Sequence, residues 1–273
     1  MGEREAGMMI CTGAQGVGKT YQNMRVIKDY VKDKFYVKVK GRKCLIFDTN
    51  GEYTKSQFQR NDIDNFEPKR IALSDIGEWS RSEAKECRRI DAKSLSIREK
   101  KEAIEYIVKN YRNGMLVLED INTYILNMTS MEDIVSGLVN LRHRAVDVLV
   151  SYQSLRPVEP RMWQNCRWIR FHYQVDNVND IKGKVSNPEM LKIAQIIVNK
   201  RYHGGDKRFF LYVHNLGQKI EGNFTKTEYE SACRDFLNAT PKKVREYKAV
   251  NKVTNEEAIK GCIKELTELY YGN

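Results

Sequence analysis

The chain has 273 residues, of which 41% are hydrophobic and 30% charged, and it carries a formal net charge of +11. That length allows one large core or two small ones, and no apolar run approaches the roughly 18 residues of a membrane span. Six cysteines (Cys11, Cys44, Cys87, Cys166, Cys233, Cys262) are scattered without a C-x-x-C pair, which argues against a disulfide framework or a thiolate metal site. The opening MGEREAG is charged where a secretory signal turns apolar, so a cytoplasmic location is expected. An excess of Lys and Arg makes a potential that attracts polyanions, nucleic acid first among them.

In chain order, strand-like runs occur at MMICT (8–12), KCLIFDT (43–49), RIALS (70–74), MLVLED (115–120), VDVLVSYQ (146–153) and RWIRFHYQ (167–174). Several are continuous apolar runs, as expected of strands covered on both faces. Between them, Ile97, Ile104, Ile107, Val108 and Tyr111 fall on one helical face, opened by a Ser96/Glu99 capping box and stopped near Gly114. Residues 131–144 form a second helix candidate. Strands alternating with helices predict an α/β fold with a mostly parallel central sheet. Past about residue 240 the basic, polar TPKKVREYKAVNK leads into a helix from Thr254 to Tyr271. The expected division is therefore a core over 1–239 and a small basic helical extension over 240–273.

The first run is followed by GAQGVGKTY, in which Gly13-x-x-x-x-Gly18-Lys19-Thr20 has the spacing of a P-loop. Glycines let successive backbone N–H groups turn toward phosphate oxygens, and the helix opening near Gly18 aims its positive end at the same anion. Gly13, Ala14, Gln15, Gly16, Val17, Gly18, Lys19, Thr20 and Tyr21 are thus expected to hold ATP. Lys19 reaches its β- and γ-phosphates and the Thr20 hydroxyl holds Mg²⁺. Such a loop needs a carboxylate from the end of another strand, and MLVLED supplies Glu119 and Asp120. One acid orients the metal shell and the other polarises the attacking water.

Three further segments narrow the class. FDTNGEY follows the second strand and carries Asp48, Gly51, Glu52 and Tyr53. NLRHRAVDVLVSYQSLRP carries Arg142, Arg144 and Gln153, and QNCRWIRFHYQVDN follows as a last core strand. No N-K-x-D guanine motif is present. This order, spanning about residues 8–180, resembles the HerA/FtsK superfamily of DNA-pumping P-loop ATPases, which includes viral genome-packaging motors.

The resemblance implies a RecA-type (ASCE) core and a ring of five or six identical subunits with double-stranded DNA passing through it. It implies that Gln153 senses the γ-phosphate or its water, and that Arg142 or Arg144 acts in trans on the neighbouring subunit's nucleotide. The family ends its acidic strand in Asp-Glu where this chain has Glu119-Asp120. Glu119 then takes the metal place and Asp120 the base place, with Glu52 as a rival base.

DNA contacts without base reading are expected from Lys55 and Arg60, after NGEY, and from Lys182 and Lys184, in NDIKGKVSN. A capsid portal or vertex protein is a further expected partner, and host cytoplasm or virion the expected place. A conjugation or recombination translocase is the nearest alternative. A small-molecule kinase and a non-hydrolysing nucleotide-binding assembly protein are alternatives from other classes.

Overall fold

The computed structural model describes residues 5–34, 39–124 and 128–273. Residues 1–4 of the charged opening MGEREAG lie outside the described residues. The chain divides into two units. One comprises Met1–Cys11, Gly18–Gln153 and Pro157–Cys166, and the other Thr12–Val17, Ser154–Arg156 and Arg167–Asn273. The boundary expected at residue 240 falls inside the second unit.

In the first unit the strands are β1 (Met8–Thr12), β2 (Lys43–Asp48), β3 (Lys69–Arg70), β4 (Cys87–Asp91), β5 (Gly114–Leu118) and β6 (Val146–Tyr152). Their spatial order is β3-β4-β2-β5-β6-β1. The β3–β4, β4–β2, β2–β5 and β5–β6 pairs are all parallel. The helices are α1 (Lys19–Val31), α2 (Lys55–Arg60), α3 (Ile76–Arg81), α4 (Ile97–Asn110), α5 (Met128–Asn140) and α6 (Pro160–Asn165). Met24, Ile27 and Val31, spaced along one face of α1, pack on Cys44, Ile46, Met115, Val117 and Leu149 of β2, β5 and β6. Apolar residues three and four apart in a helix thus meet strands that are apolar throughout. The expected Ser96/Glu99 capping box is present at the start of α4.

The run at 70–74 differs from expectation. Only Lys69–Arg70 pairs as β3, and a 3₁₀ turn over Leu73–Asp75 follows. The strand beside β2 is instead β4, CRRID, whose two arginines mask it as a polar segment. Arg89 is accommodated because Asp48 on the neighbouring strand accepts its Nη1 at 2.9 Å, and Arg88 lies over the Trp79 ring at 5.1 Å.

The second unit contains β7 (Cys166–His172), whose first residue belongs to the other unit, and then α7 (Pro188–His203), β8 (Phe210–His214) and β9 (Lys219–Gly222). It ends in α8 (Lys226–Ala239), α9 (Pro241–Asn251) and α10 (Asn255–Tyr270). The strands pair antiparallel in the order β7-β8-β9. Helix α10 opens at Thr254 with a capping box to Glu257 and closes at Tyr271, as the sequence predicts. The whole is an α/β fold with mostly parallel strands, flanking helices and a helical C-terminal region. No helix among the described residues is long and apolar enough to cross a membrane.

Candidate nucleotide site

Strand β1 ends at Thr12 and the loop turns at once. A Cβ on Gly13 would lie 2.6 Å from the Cβ of His172 and 2.9 Å from Cγ2 of Val17, so only glycine fits. Gly16 and Gly18 have φ of 80° and 88°, the left-handed region that glycine enters without steric cost. The Ala14 N–H donates to the Tyr173 carbonyl at 2.8 Å, and Gln174 Nε2 donates to the Thr12 hydroxyl at 2.6 Å. These bonds hold the first half of the loop. Gln15 and Gly16 are exposed, while Val17 is buried.

Helix α1 then opens at Lys19, with Gly18 as an N-cap that offers no side chain and no acidic residue in the first turn. Its N–H groups and positive dipole end are therefore not neutralised from within the helix. The Lys19 side chain lies against the protein, with 9% of its surface exposed. Tyr21 is half-buried, with the Arg25 guanidinium 5.5 Å from its ring centre.

Within the first unit the parallel strands β2, β5 and β6 end side by side and deliver their following residues to one edge, the place where open α/β sheets bind ligands. Asp48 closes β2 and shapes the next turn. Its Oδ1 accepts from the N–H groups of Gly51 at 2.8 Å and Glu52 at 3.0 Å, and its Oδ2 from that of Tyr53 at 3.1 Å. Glu52, so placed, accepts a hydrogen bond from the Thr20 hydroxyl at 3.0 Å.

Glu119 sits deeper. It is buried, and its Oε1 accepts from the Tyr53 hydroxyl and from Asn23 Nδ2, which also donates to the Ser151 hydroxyl at 2.9 Å. Burial pushes its carboxyl above the usual carboxylate range; the bonds from Tyr53 and Asn23 oppose that shift and the charge of Asp120 adds to it. Asp120 is half-buried and left-handed at φ 44°; its Oδ2 accepts from Gln153 Nε2 at 3.0 Å and Asn50 Nδ2 at 3.3 Å. Gln153 is exposed as a residue and finds its partner in Asp120.

The structure thus brings together Thr20 with Glu52, Glu119 with Asn23 and Tyr53, and Asp120 with Gln153. Asn23, Tyr53 and Ser151 were not singled out as functional by sequence. Nothing in a polar helix position marks Asn23, and only its place one turn after Thr20 on α1 gives a signal. Among the described residues no cluster of three or more His, Cys, Asp and Glu suits a metal. Mg²⁺ takes few protein oxygens and several from phosphate and water. The Thr20 hydroxyl and Glu52 carboxylate are hard oxygen donors already at hydrogen-bond distance, so this pair fits the ion.

Arg142 and Arg144 lie in a 3₁₀ turn over Leu141–Arg144, just before β6. Arg144 Nη1 donates to the carbonyls of Val108 at 2.7 Å and Lys109 at 2.6 Å, the free C-terminal carbonyls of α4. Arg142 is exposed, and its Nε lies 3.5 Å from His143 Nε2. Seven residues of β6 separate these arginines from Gln153, roughly 20 Å at the rise of a strand. At that distance neither arginine reaches Asp120 or Gln153 of the same chain.

Of the expected DNA-contacting cations, Lys55 begins α2 and pairs with Glu67 at 3.2 Å, and Arg60 ends the same helix, exposed. Lys182 is exposed at the end of a 3₁₀ turn, whereas Lys184 is half-buried and donates to the Arg156 carbonyl at 2.8 Å.

No protein-family model matches the sequence, and no curated protein matches it. Among solved structures it is similar to the genome-packaging NTPase B204 from Sulfolobus turreted icosahedral virus 2 in complex with AMP. That match has 15% identity and a TM-score of 0.50, and it covers 81% of this chain and 98% of the other. The AMPPCP complex of that protein matches with the same identity and TM-score over 81% and 100% of the two chains. B204, the DNA-packaging ATPase from Sulfolobus turreted icosahedral virus, matches at 15% identity and TM-score 0.50, again over 81% and 100%. At this identity the likeness is one of fold, and the chain shares the α/β architecture of these genome-packaging NTPases.

Proposed function

We propose that the chain is an ATPase that drives double-stranded DNA through a ring of its own copies, as a viral genome-packaging motor. The observation that carries this reading is the Asp120–Gln153 hydrogen bond. It joins a half-buried carboxylate and a neutral γ-phosphate sensor at the ends of neighbouring strands, an arrangement that a small-molecule kinase leaves unexplained. The fold shared with packaging NTPases supports the same class.

In this reading the loop residues Gly13 to Thr20 cradle the triphosphate, and Lys19 offsets the charge of its outer phosphates. Thr20 and Glu52 would hold Mg²⁺, which would supply neutralisation of phosphate charge. Asp120 takes the proton of the attacking water, held to its task by Gln153. Glu119, anchored by Tyr53 and Asn23, contributes a fixed carboxylate beneath the site and keeps the first turns of α1 in register with β5. Arg142 reaches the nucleotide of the adjacent subunit. The net charge of +11 suits phosphate-backbone contacts that carry no sequence information.

The test is the steady-state ATPase rate with and without double-stranded DNA across a salt series, with Lys19→Ala as the blank. The expected result is stimulation by DNA that fades as salt rises and vanishes in the blank. Hydrolysis indifferent to DNA overturns the translocase reading and brings the kinase class forward.

A further inference from the structure

Within the second unit, α8 and α10 enclose a cleft of about 600 Å³ that has no part in the chemistry described above. Phe224, just before α8, meets Tyr271, just after α10, with ring centroids 6.1 Å apart, and the Tyr229 hydroxyl donates to the Leu266 carbonyl at 2.8 Å. The start of α8 therefore lies beside the end of α10, and the two helices run antiparallel along the cleft. Each lines it with residues spaced four apart, which share one helical face. Lys226, Glu230 and Arg234 come from α8, and Lys260, Lys264 and Glu268 from α10. Between these long side chains stand the short Thr227, Ser231 and Thr267 and the buried Ile263.

The charges are matched along most of the cleft and unmatched at one end. In antiparallel order Lys226 falls opposite Glu268, Glu230 opposite Lys264, and Arg234 opposite Lys260. The lysines also pair along their own helices: Lys226 with Glu230 at 4.0 Å, Lys264 with Glu268 at 3.9 Å and Lys260 with Glu256 at 3.0 Å. Arg234 is exposed and has no ion pair among the described residues. Two cations on facing walls repel each other, and an anion between them turns that repulsion into two favourable contacts. A nucleic-acid duplex does not suit the cleft, because Glu230 and Glu268 would meet its unbroken rows of phosphates. A peptide carries charge at single positions, so an acidic side chain takes the Arg234–Lys260 end while apolar side chains settle on Ile263.

We infer that the α8–α10 cleft docks an acidic, amphipathic helix of a partner protein, with a carboxylate of that helix held between Arg234 and Lys260. From Lys226 to Arg234 the lining runs about 12 Å at the helical rise, enough for two turns of a partner helix. Docking of a helix in a groove uses anchors three and four residues apart, the spacing that the rows on α8 and α10 receive. This recognition stands apart from the nucleotide reading, since it needs neither the phosphate loop nor hydrolysis.

Fluorescence anisotropy of a labelled helical peptide, with Glu and Leu three and four residues apart, titrated with the full chain tests this. The same peptide with Lys in place of Glu and a short labelled DNA duplex serve as comparisons. The acidic peptide should bind, more weakly as salt rises, and the basic one should not. Arg234→Glu with Lys260→Glu should weaken the acidic peptide about 10- to 100-fold, the range of lost hydrogen bonds from charged groups, and leave the melting temperature unchanged. Ser231→Trp, which fills the cleft without altering its charge, should weaken it as well. The inference falls if the acidic peptide does not bind, if the basic peptide binds equally, or if neither variant matters. Binding of the duplex alone, lost in the double variant, would make the cleft a nucleic-acid site. Self-association of the chain that disappears in the double variant would make a second copy its occupant. Either result overturns the inference.

Discussion

The Thr20 hydroxyl donates to Glu52 at 3.0 Å, joining the first turn of α1 to the turn after β2. In a P-loop protein that hydroxyl is the one expected to meet a metal ion, so its neighbour is the acid best placed to share the ion. Glu52 owes its position to Asp48, whose buried carboxylate gathers three backbone N–H groups of the same turn and the Arg89 guanidinium.

Removing the arginine should therefore be costly. Arg89→Met leaves the Asp48 carboxylate, only 1% exposed, without its counter-charge, a loss of about 3–5 kcal/mol for a broken buried pair. Urea denaturation should show it, together with reduced hydrolysis as the Glu52 turn loosens. Arg89→Lys, which keeps a positive charge beside Asp48, should lose less than Arg89→Met. Equal losses in the two variants would show that the charge pair is not what holds the turn.

Asp120 and Gln153 should behave as one unit. Asp120→Asn is expected to lower kcat about 10²–10⁴-fold, the usual worth of a general base, with little change in KM. Gln153→Ala should act in the same direction. Because each works through the other, the double variant should be no slower than the slower single. Multiplying effects would mean that the two side chains act separately.

The two arginines before β6 should separate cleanly. Arg144→Ala removes a cap from the α4 carbonyls and should cost about 1–3 kcal/mol of stability, as for a hydrogen bond from a charged group. Arg142→Ala should leave stability unchanged and lower hydrolysis by about 10³ or more, as for a lost trans arginine. Mixing Lys19→Ala subunits with Arg142→Ala subunits should restore activity, since an intact loop then meets an intact arginine from its neighbour. If mixed subunits associate and show no recovery, Arg142 is not a trans group.

Glu119 gives a pH dependence with a definite sign. Burial holds its folded-state pKa above the ordinary value of 4.5, so the folded chain binds that proton more tightly than the unfolded chain. The contribution is fully present below the unfolded pKa and is lost as pH rises through the raised folded value. Glu119→Gln, similar in shape and uncharged, removes this dependence. Wild-type stability measured relative to Glu119→Gln should fall as pH climbs from about 4.5 and level off above the folded pKa. A difference that stays flat, or rises with pH, contradicts a raised Glu119.

Much of the fold was legible in the sequence. The apolar runs at 8–12, 43–49, 115–120, 146–153 and 167–174 coincide with β1, β2, β5, β6 and β7 within two residues at either end. The capping pairs Ser96/Glu99 and Thr254/Glu257 mark true helix starts. Strand β4 was hidden because a strand with two arginines reads as surface until its acid and aromatic neighbours are known.

The sequence by itself marked the glycine turn after β1, because Gly16 and Gly18 take a left-handed backbone that is local to the loop, whereas the need for Gly13 comes from the close approach of His172. It likewise determined which strands end in acids. Tertiary structure alone decided which acid meets which partner. Thr20 and Glu52 are 32 residues apart, Asn23 and Glu119 are 96 apart, and Gln153 and Asp120 are 33 apart. Such pairings follow from the parallel register that sets the ends of β2, β5 and β6 at one edge, and register is a property of packed strands that no single segment contains.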